Sequence, residues 1–113
     1  LVQLKYANQL NGFTELILTK VDVLTGLPEI KLCTGYEIGG KKLDYVPSDL
    51  DGFNKIKPVY ETLPGWRSLP DKINHIDECP IELKNFITKI ERFIDGNISL
   101  ISYGPDRNQT FAL

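Results

Sequence analysis

An amphipathic stretch from Pro80 to Asp95 constrains the fold more than any other feature of the sequence. Its apolar side chains recur at the spacing that places them on one face of an α-helix. They are Leu83, Phe86, Ile87, Ile90, Phe93 and Ile94. Proline suits the first turn of such a helix, and Gly96 suits its exit. We therefore predict a helix here and expect the apolar stripe to belong to the core.

Helical and apolar segments at the two ends of the chain predict parts of a sheet. Leu1 to about Leu10 is typical of the end of an amphipathic helix, stopped by Asn11-Gly12. Phe13 to Thr19 predicts a strand, and its Leu-Ile-Leu run favours burial on both faces. A helix that leads directly into such a strand is typical of an open α/β sheet. Ile98 to Ser102 predicts a final short, buried strand.

The middle of the chain predicts a hairpin and irregular connections. After a turn at Thr25 to Pro28, we predict strands over Glu29 to Ile38 and Lys41 to Val46, joined at Gly39-Gly40. The next segments are a loop or single helical turn at Pro47 to Gly52, an edge or irregular strand at Lys57 to Leu63, and a packed surface loop at Pro64 to Asp77. Together these elements predict an α/β fold, with an open mixed sheet, flanking helices, a β-hairpin and one clear late amphipathic helix.

Length and charge limit the function classes. The 113 residues suit one domain, and 42% apolar with 25% charged residues is ordinary for a globular one. A net charge of −2 argues against a nucleic acid or an anionic membrane as partner, because either would need a basic face. The chain has no methionine and opens within a helical pattern. We expect a piece of a longer protein, with proteolytic maturation as the alternative.

The segment Thr19-Lys20-Val21-Asp22 is the first candidate site. It follows a predicted buried strand, which is where open α/β sheets bind ligands. A carboxylate there can accept hydrogen bonds from the ring N–H and the exocyclic amine of guanine, whereas adenine would leave it unpaired. Lys20 can lay its aliphatic stem along the base. The alternative is a solvated Lys/Asp pair that follows a strand.

The segment Ser102-Tyr103-Gly104-Pro105-Asp106-Arg107 is the second candidate. It also follows an apolar strand, and its glycine lets backbone N–H groups approach a ligand closely. Such amides can donate to the guanine O6 and so complement the acceptor at Asp22. The alternative is a tight turn in which Asp106 and Arg107 pair locally.

Other polar residues favour structural readings. His75, the only histidine, lies in an irregular loop without an evident partner, so we expect a solvated side chain. Asp44, Asp49 and Asp51 lack the spacing and the bidentate glutamate of a calcium loop, which favours a polar loop. Trp66 is expected to be a packing anchor rather than a platform for a ligand.

The two cysteines match no metal or redox spacing. Cys33 lies in an apolar strand pattern, where a free thiol behaves as a small buried hydrophobe. Cys79 precedes Pro80 at the predicted start of the late helix. We expect two free thiols rather than a disulfide.

Taken with the stretches between them, the two candidate segments resemble the adenylosuccinate synthetase family. The matching stretches run in the family's order from near one end of the chain to the other. They are Asn11 to Thr14, Leu18 to Leu27, Glu29 to Cys33, Pro58 to Trp66 and Ser102 to Thr110. The combination of Leu-Thr-Lys-x-Asp, Leu-Pro-Gly-Trp and Gly-Pro-Asp-Arg-x-x-Thr is specific to few families.

The resemblance implies the C-terminal, guanine-binding portion of a single larger α/β enzyme domain. The family's reaction joins IMP and L-aspartate with GTP as co-substrate, giving adenylosuccinate, GDP and phosphate by way of a 6-phosphoryl-IMP intermediate. By the resemblance, Lys20, Val21 and Asp22 match the first guanine-binding segment, and Ser102, Tyr103 and Gly104 match the second.

Other properties also follow from the resemblance alone. The phosphate loop, the catalytic residues, the Mg²⁺ ligands and the IMP contacts belong upstream, so we expect no catalytic or metal-binding residue here and no activity from this segment alone. The resemblance also implies a cytoplasmic homodimer.

Two departures and two alternatives accompany the resemblance. The loop after Trp66 differs from the family's common pattern, and Phe86 stands in place of the usual tyrosine of the late helix. Tyr103 stands where the family has a smaller residue, so we expect its ring to crowd the base or to stack at its rim. A non-enzymatic guanine-nucleotide switch module also carries Lys-x-Asp after a strand, but its second loop usually lies within a few dozen residues. Here the second segment follows about eighty residues later. A structural domain without a ligand is the other alternative.

Overall fold

The computed structural model describes residues 1–113 and contains three α-helices and two three-stranded sheets. The helices are α1 (Val2–Asn11), α2 (Leu50–Lys55) and α3 (Ile81–Ile94), with 3₁₀ helices at Val21–Leu24 and Ile76–Glu78. The strands are β1 (Leu16–Leu18), β2 (Glu29–Ile38), β3 (Lys41–Leu43), β4 (Lys57–Pro64), β5 (Ile98–Ser102) and β6 (Thr110–Ala112). The predicted α/β class is confirmed. None of the helices combines the length and the hydrophobicity needed to cross a bilayer.

The first sheet has the order β1-β5-β6. β1 pairs with β5 in parallel, with Leu18 opposite Ile101, and β6 pairs with β5 in the antiparallel sense. Two predictions were wrong here. The strand predicted over Phe13 to Thr19 is only three residues long and lies at the edge of this sheet, and Ile17 on it is 60% exposed rather than buried. β5 is not the final strand, since β6 follows it.

The second sheet has the order β3-β2-β4 and contains the predicted hairpin. β2 has the predicted bounds, and it turns into β3 through Gly39 and Gly40, whose φ angles of 56° and 82° favour glycine. β3 ends at Leu43, three residues before the predicted end. β4 pairs only with β2, which confirms the edge position that Pro58 predicted.

Helix α3 provides most of the core, as predicted. Five of the six residues of its stripe are buried, and Phe93 is half-buried with the Lys5 ammonium 5.5 Å from its ring centroid. The buried face packs with residues of both sheets, namely Ile30, Leu32, Ile98, Ile101 and Phe111. The left-handed residue at the helix end is Asp95, with φ 52°, so the exit comes one residue before the predicted Gly96.

The long connection between β4 and α3 is irregular but packed, as predicted. Trp66 is 1% exposed and makes an edge-to-face contact with Phe86, with ring centroids 5.6 Å apart. Its indole N–H donates to the Thr25 hydroxyl at 3.0 Å. The prediction that Trp66 is a packing anchor is therefore confirmed. Further along the same connection, Ile73 is 2% exposed and also belongs to the core.

The two cysteines are free thiols in different surroundings. Cys33 is half-buried on β2, and its Sγ donates to the Gly35 carbonyl at 3.4 Å. Cys79 is buried immediately before α3. Burial raises the pKa of the Cys79 thiol, the Lys84 ammonium opposes that rise, and the Glu78 carboxylate adds to it.

Gly65 offers a test of the packing between β4 and the turn after the first 3₁₀ helix. A Cβ at this position would lie 2.0 Å from the Leu27 carbonyl oxygen, which is backbone and cannot move aside alone. We expect Gly65→Ala to lower the free energy of unfolding by about 3 kcal/mol. The matched control is Gly12→Ala, where φ is 61° but no atom lies within 4 Å. The control should lose only about 1 kcal/mol, the cost of the left-handed backbone. Equal losses in chemical denaturation would show that the close approach of the Leu27 carbonyl does not limit the residue at position 65.

Cys79 predicts a dependence of stability on pH. Because its folded-state pKa is raised, the unfolded thiol loses its proton at a lower pH than the folded one. The contribution to stability is complete below the unfolded pKa of about 8.5 and is lost as pH rises through the folded value. The free energy of unfolding should therefore fall more steeply above about pH 8 in the natural chain than in Cys79→Ala. Parallel stability curves for the two chains would show that this thiol makes no such contribution.

Candidate functional site

The topology of the first sheet brings the two candidate segments to the same end of the sheet, beyond the carboxyl ends of β1 and β5. β1 and β5 are parallel neighbours, so both strands leave the sheet in the same direction. Leu18 pairs with Ile101, and each candidate segment begins within two residues of this pair. Ligands of open α/β sheets bind outside the carboxyl ends of the strands. Lys20 to Asp22 and Ser102 to Gly104 therefore lie at the end of the sheet where a ligand is expected.

The first segment leaves β1 through a tight turn at Lys20. The backbone of Lys20 is left-handed, with φ 59° and ψ 41°, a conformation that costs a non-glycine residue about 1 kcal/mol. Val21 follows and is 1% exposed, which fixes the segment to the core. The Thr25 N–H donates to the Asp22 carbonyl at 3.0 Å and closes the 3₁₀ helix. The strained turn thus presents Asp22 on a short, anchored helix.

Asp22 carries the most informative atom of the site. Its Oδ1 is buried and has no hydrogen-bond partner. No other buried side-chain oxygen or nitrogen in the chain lacks a partner. Leaving such an acceptor unpaired costs about 1–3 kcal/mol, so native proteins do so rarely and often for a functional reason. An acceptor of this kind can receive an N–H group from a ligand. The neighbouring Lys20 side chain is exposed.

The second segment offers a free backbone donor at Gly104. The Tyr103 N–H donates to the Gln109 carbonyl at 2.9 Å, and the Ser102 hydroxyl donates to the Gly104 carbonyl at 3.2 Å. The Gly104 N–H donates to no protein acceptor. The Gly104 N–H is therefore available to a ligand, whereas the Tyr103 N–H already has an acceptor within the protein.

Gly104 is required by the close approach of Gln109. A Cβ on Gly104 would lie 2.1 Å from the Gln109 Oε1 atom. That oxygen accepts from the Asp106 N–H at 3.0 Å, so the carboxamide is held in place. Asp106 in turn accepts from the Asn108 N–H at 2.8 Å, which corrects the alternative of a local pair between Asp106 and Arg107. Gln109 was missed in the sequence because no local pattern marks a side chain that folds back on its own turn.

The ring of Tyr103 does not stand at the rim of the site. Its side chain lies in the core, 5% exposed, with the Phe111 ring centroid 6.0 Å away. The Tyr103 hydroxyl accepts from the Ile73 N–H at 3.0 Å and lies 3.4 Å from the Ile73 carbonyl oxygen. The expected crowding or stacking was therefore wrong, because an apolar ring with two partners for its hydroxyl is more stable inside.

The remaining polar candidates have structural surroundings. The His75 and Asp77 side chains are 64% and 83% exposed, with Nδ1 and Oδ2 3.1 Å apart, which confirms a solvated histidine. Asp49 accepts from the Gly52 N–H at 2.6 Å and caps α2. No group of three or more His, Cys, Asp or Glu side chains is arranged to hold a metal ion.

Two surface clefts lie away from the candidate segments. One, of about 420 Å³, runs beside α3 and is lined by residues such as Thr88 and Arg92. The other, of about 670 Å³, lies between α1 and the residues after β3, including Tyr6 and Tyr45. Neither is lined by a residue of the two candidate segments, so the candidate site rests on hydrogen-bonding groups rather than on cavity size.

Comparison with known proteins agrees with the resemblance seen in the sequence. The sequence profile of adenylosuccinate synthetase matches residues 1–111. Adenylosuccinate synthetase of Lawsonia intracellularis is 48% identical over 111 residues, which are 97% of this chain and 26% of that protein. The protein of the same name from Clostridium novyi is 42% identical over 113 residues, or 100% of this chain and 26% of the other.

The solved structures give the same result. The structure of fully ligated adenylosuccinate synthetase from Plasmodium falciparum matches with a TM-score of 0.92 and 32% identity, covering 99% of this chain and 27% of that one. The chain belongs to the adenylosuccinate synthetase family. It spans about a quarter of the length of the relatives it matches.

The unpaired oxygen of Asp22 predicts an unusual effect on stability. Asp22→Ala removes a buried acceptor that has no partner, so without nucleotide the free energy of unfolding should stay the same or rise by up to about 1 kcal/mol. The control Asp49→Ala removes the cap of α2 and should lose about 1 kcal/mol. Denaturant unfolding of both variants tests the contrast, and an equal loss at Asp22 would mean that its carboxylate is paired in the folded chain.

Proposed function

We propose that this chain is the C-terminal, guanine-reading portion of a GTP-dependent ligase that joins IMP to L-aspartate, giving adenylosuccinate, GDP and phosphate in purine nucleotide synthesis. Membership of the family supports the reaction. The observation that carries the assignment to this segment is the buried, unpaired Asp22 oxygen, because guanine offers the donors that it lacks. The free Gly104 N–H, at the same end of the sheet, further supports this assignment to the base site.

The proposed contacts follow from the chemistry of guanine. The Asp22 carboxylate accepts from the ring N–H and the exocyclic amine, and the Gly104 N–H donates to O6. Val21 holds the carboxylate in place from the core, while the Lys20 stem lies along the base. Ser102 and Tyr103 shape the turn that presents Gly104. Adenine has neither donor for Asp22, so it would leave the carboxylate desolvated and unpaired, at a cost of about 1–3 kcal/mol or more.

The remaining chemistry is assigned to the rest of the enzyme. In this proposal the phosphates of GTP, the Mg²⁺ ion, IMP and aspartate are bound by residues outside this chain, which together with it form a single larger α/β domain. The segment alone is then inactive. The intact enzyme is proposed to be a cytoplasmic homodimer. Family membership argues against the alternatives of a guanine-nucleotide switch module and of a structural domain without a ligand.

Exchange of the carboxylate for an amide tests the proposed base contact. In the full-length enzyme, Asp22→Asn should lower kcat/KM for GTP by about 100-fold, because an amide cannot accept from both guanine donors. The same variant should favour XTP, since the new N–H₂ group can donate to the 2-oxo group of xanthine. Asp49→Asn, which alters the carboxylate that caps α2, is the control and should leave the preference unchanged. Steady-state kinetics with both nucleotides would reject the proposal if Asp22→Asn kept the natural preference for GTP.

A further inference from the structure

One connection contacts both segments of the candidate site. Residues 66–73 belong to the long irregular stretch between β4 and α3, and we call them the bridging loop. Both of its end residues are buried, with Trp66 1% and Ile73 2% exposed. The Trp66 end bonds to Thr25, which lies three residues after the first candidate segment. The Ile73 end bonds to Tyr103, which belongs to the second. No residue of the bridging loop belongs to either candidate segment itself.

The Trp66 end holds the first segment. The Trp66 indole N–H donates to the Thr25 hydroxyl at 3.0 Å, and the Trp66 carbonyl accepts from the Gly26 N–H at 2.9 Å. Thr25 follows the 3₁₀ helix directly, and its own N–H donates to the carbonyl of Asp22. A displacement of Trp66 therefore acts on the residue that closes the turn carrying the Asp22 carboxylate.

The Ile73 end holds the second segment. The Tyr103 hydroxyl accepts from the Ile73 N–H at 3.0 Å and can donate to the Ile73 carbonyl oxygen at 3.4 Å. Both bonds are buried, so no solvent replaces them if the hydroxyl is removed. The peptide that follows Tyr103 carries the free Gly104 N–H. The orientation of that N–H therefore depends on where the Tyr103 side chain is anchored.

We propose that Tyr103 is a positioning residue for the nucleotide, and that the bridging loop sets the distance between Asp22 and the Gly104 N–H. This inference rests on the proposed function of the site. A guanine base bonds to both groups at once only if their spacing matches the base. Displacements of about 1 Å are enough to weaken such paired contacts markedly. The loop fixes the spacing because its two ends are buried and bonded to opposite sides of the site.

Loss of the Tyr103 hydroxyl in the full-length enzyme is the direct test. Tyr103→Phe keeps the ring against Phe111 and removes both bonds to Ile73. We expect the KM for GTP to rise about tenfold, the effect of losing one buried hydrogen-bonded contact. The KM values for IMP and aspartate and the kcat at saturating GTP should stay within about twofold, because their binding groups lie elsewhere in the proposal.

A second variant acts on the other end of the bridging loop. Thr25→Val removes the acceptor of the Trp66 indole with little change in volume. It should also raise the KM for GTP severalfold. The double variant with Tyr103→Phe should show a rise smaller than the product of the two single effects, since both act on one spacing.

The control separates positioning from general stability. Ile94→Val shortens a buried side chain at the C-terminal end of α3. This end of the helix lies near the start of β5, whereas the candidate site follows the end of β5. It should lower Tm by a few degrees, as Tyr103→Phe also should, with the KM for GTP unchanged. A Tyr103→Phe enzyme that loses stability and keeps its GTP KM would overturn the positioning role.

The nucleotide preference of Asp22→Asn distinguishes the two ways in which the idea can fail. If Asp22→Asn shifts the preference toward XTP and Tyr103→Phe leaves the GTP KM unchanged, the base site stands and the bridging role is rejected. If Asp22→Asn has no effect on the preference, the base site itself is rejected, and the positioning role fails with it.

Discussion

The parallel pairing of β1 with β5, two strands about eighty residues apart in the sequence, places both candidate segments at the same end of the sheet. Parallel pairing sends both chains out of the sheet on the same side, which no antiparallel arrangement of these two strands would do. The pairing is stabilised from one face by α3, whose apolar stripe shares the core with Ile98 and Ile101 of β5. Without this contact, a three-residue edge strand would have little to hold it in register.

Elements with a strong local pattern were predicted well from the sequence. The stripe of α3 repeats over four turns, and β2 is bounded by turn residues on both sides, so their bounds agree with the structure to within a residue. Burial on both faces was wrongly predicted for the apolar run at Leu16 to Leu18, because a short apolar run does not reveal whether both faces of its strand are covered. β6 was missed because three residues carry no usable period.

The candidate site was predictable in its backbone placement but not in its side-chain directions. Two segments that each follow an apolar strand were expected to complement each other at one ligand, and the topology places both at the same end of the sheet. Which amide of the second turn is free depends on Gln109 folding back, and where the Tyr103 ring goes depends on Ile73, thirty residues earlier in the chain. Contacts of this range leave no trace in local sequence patterns.

Strain and missing partners are concentrated in the first segment. Lys20 holds a left-handed backbone, and two residues later Asp22 has a buried oxygen without a partner, while Val21 between them is among the most buried residues of the chain. Each of the first two features costs about 1 kcal/mol or more, and neither would persist unless its surroundings imposed it. Val21 and Trp66 supply that constraint by packing.

The proposed binding of the ligand by a backbone N–H of the second segment is compatible with the position of the Tyr103 side chain in the core. If the group that faces the base is an amide, the identity of the neighbouring side chain is not constrained by the ligand but by packing. Tyr103 then directs its ring inward, where its hydroxyl pairs with a loop that also holds the first segment. Tyr103 thus joins the turn at Ser102 to Gly104 to the core, and under the proposed function a change in its side chain acts on the ligand only through the backbone that it anchors.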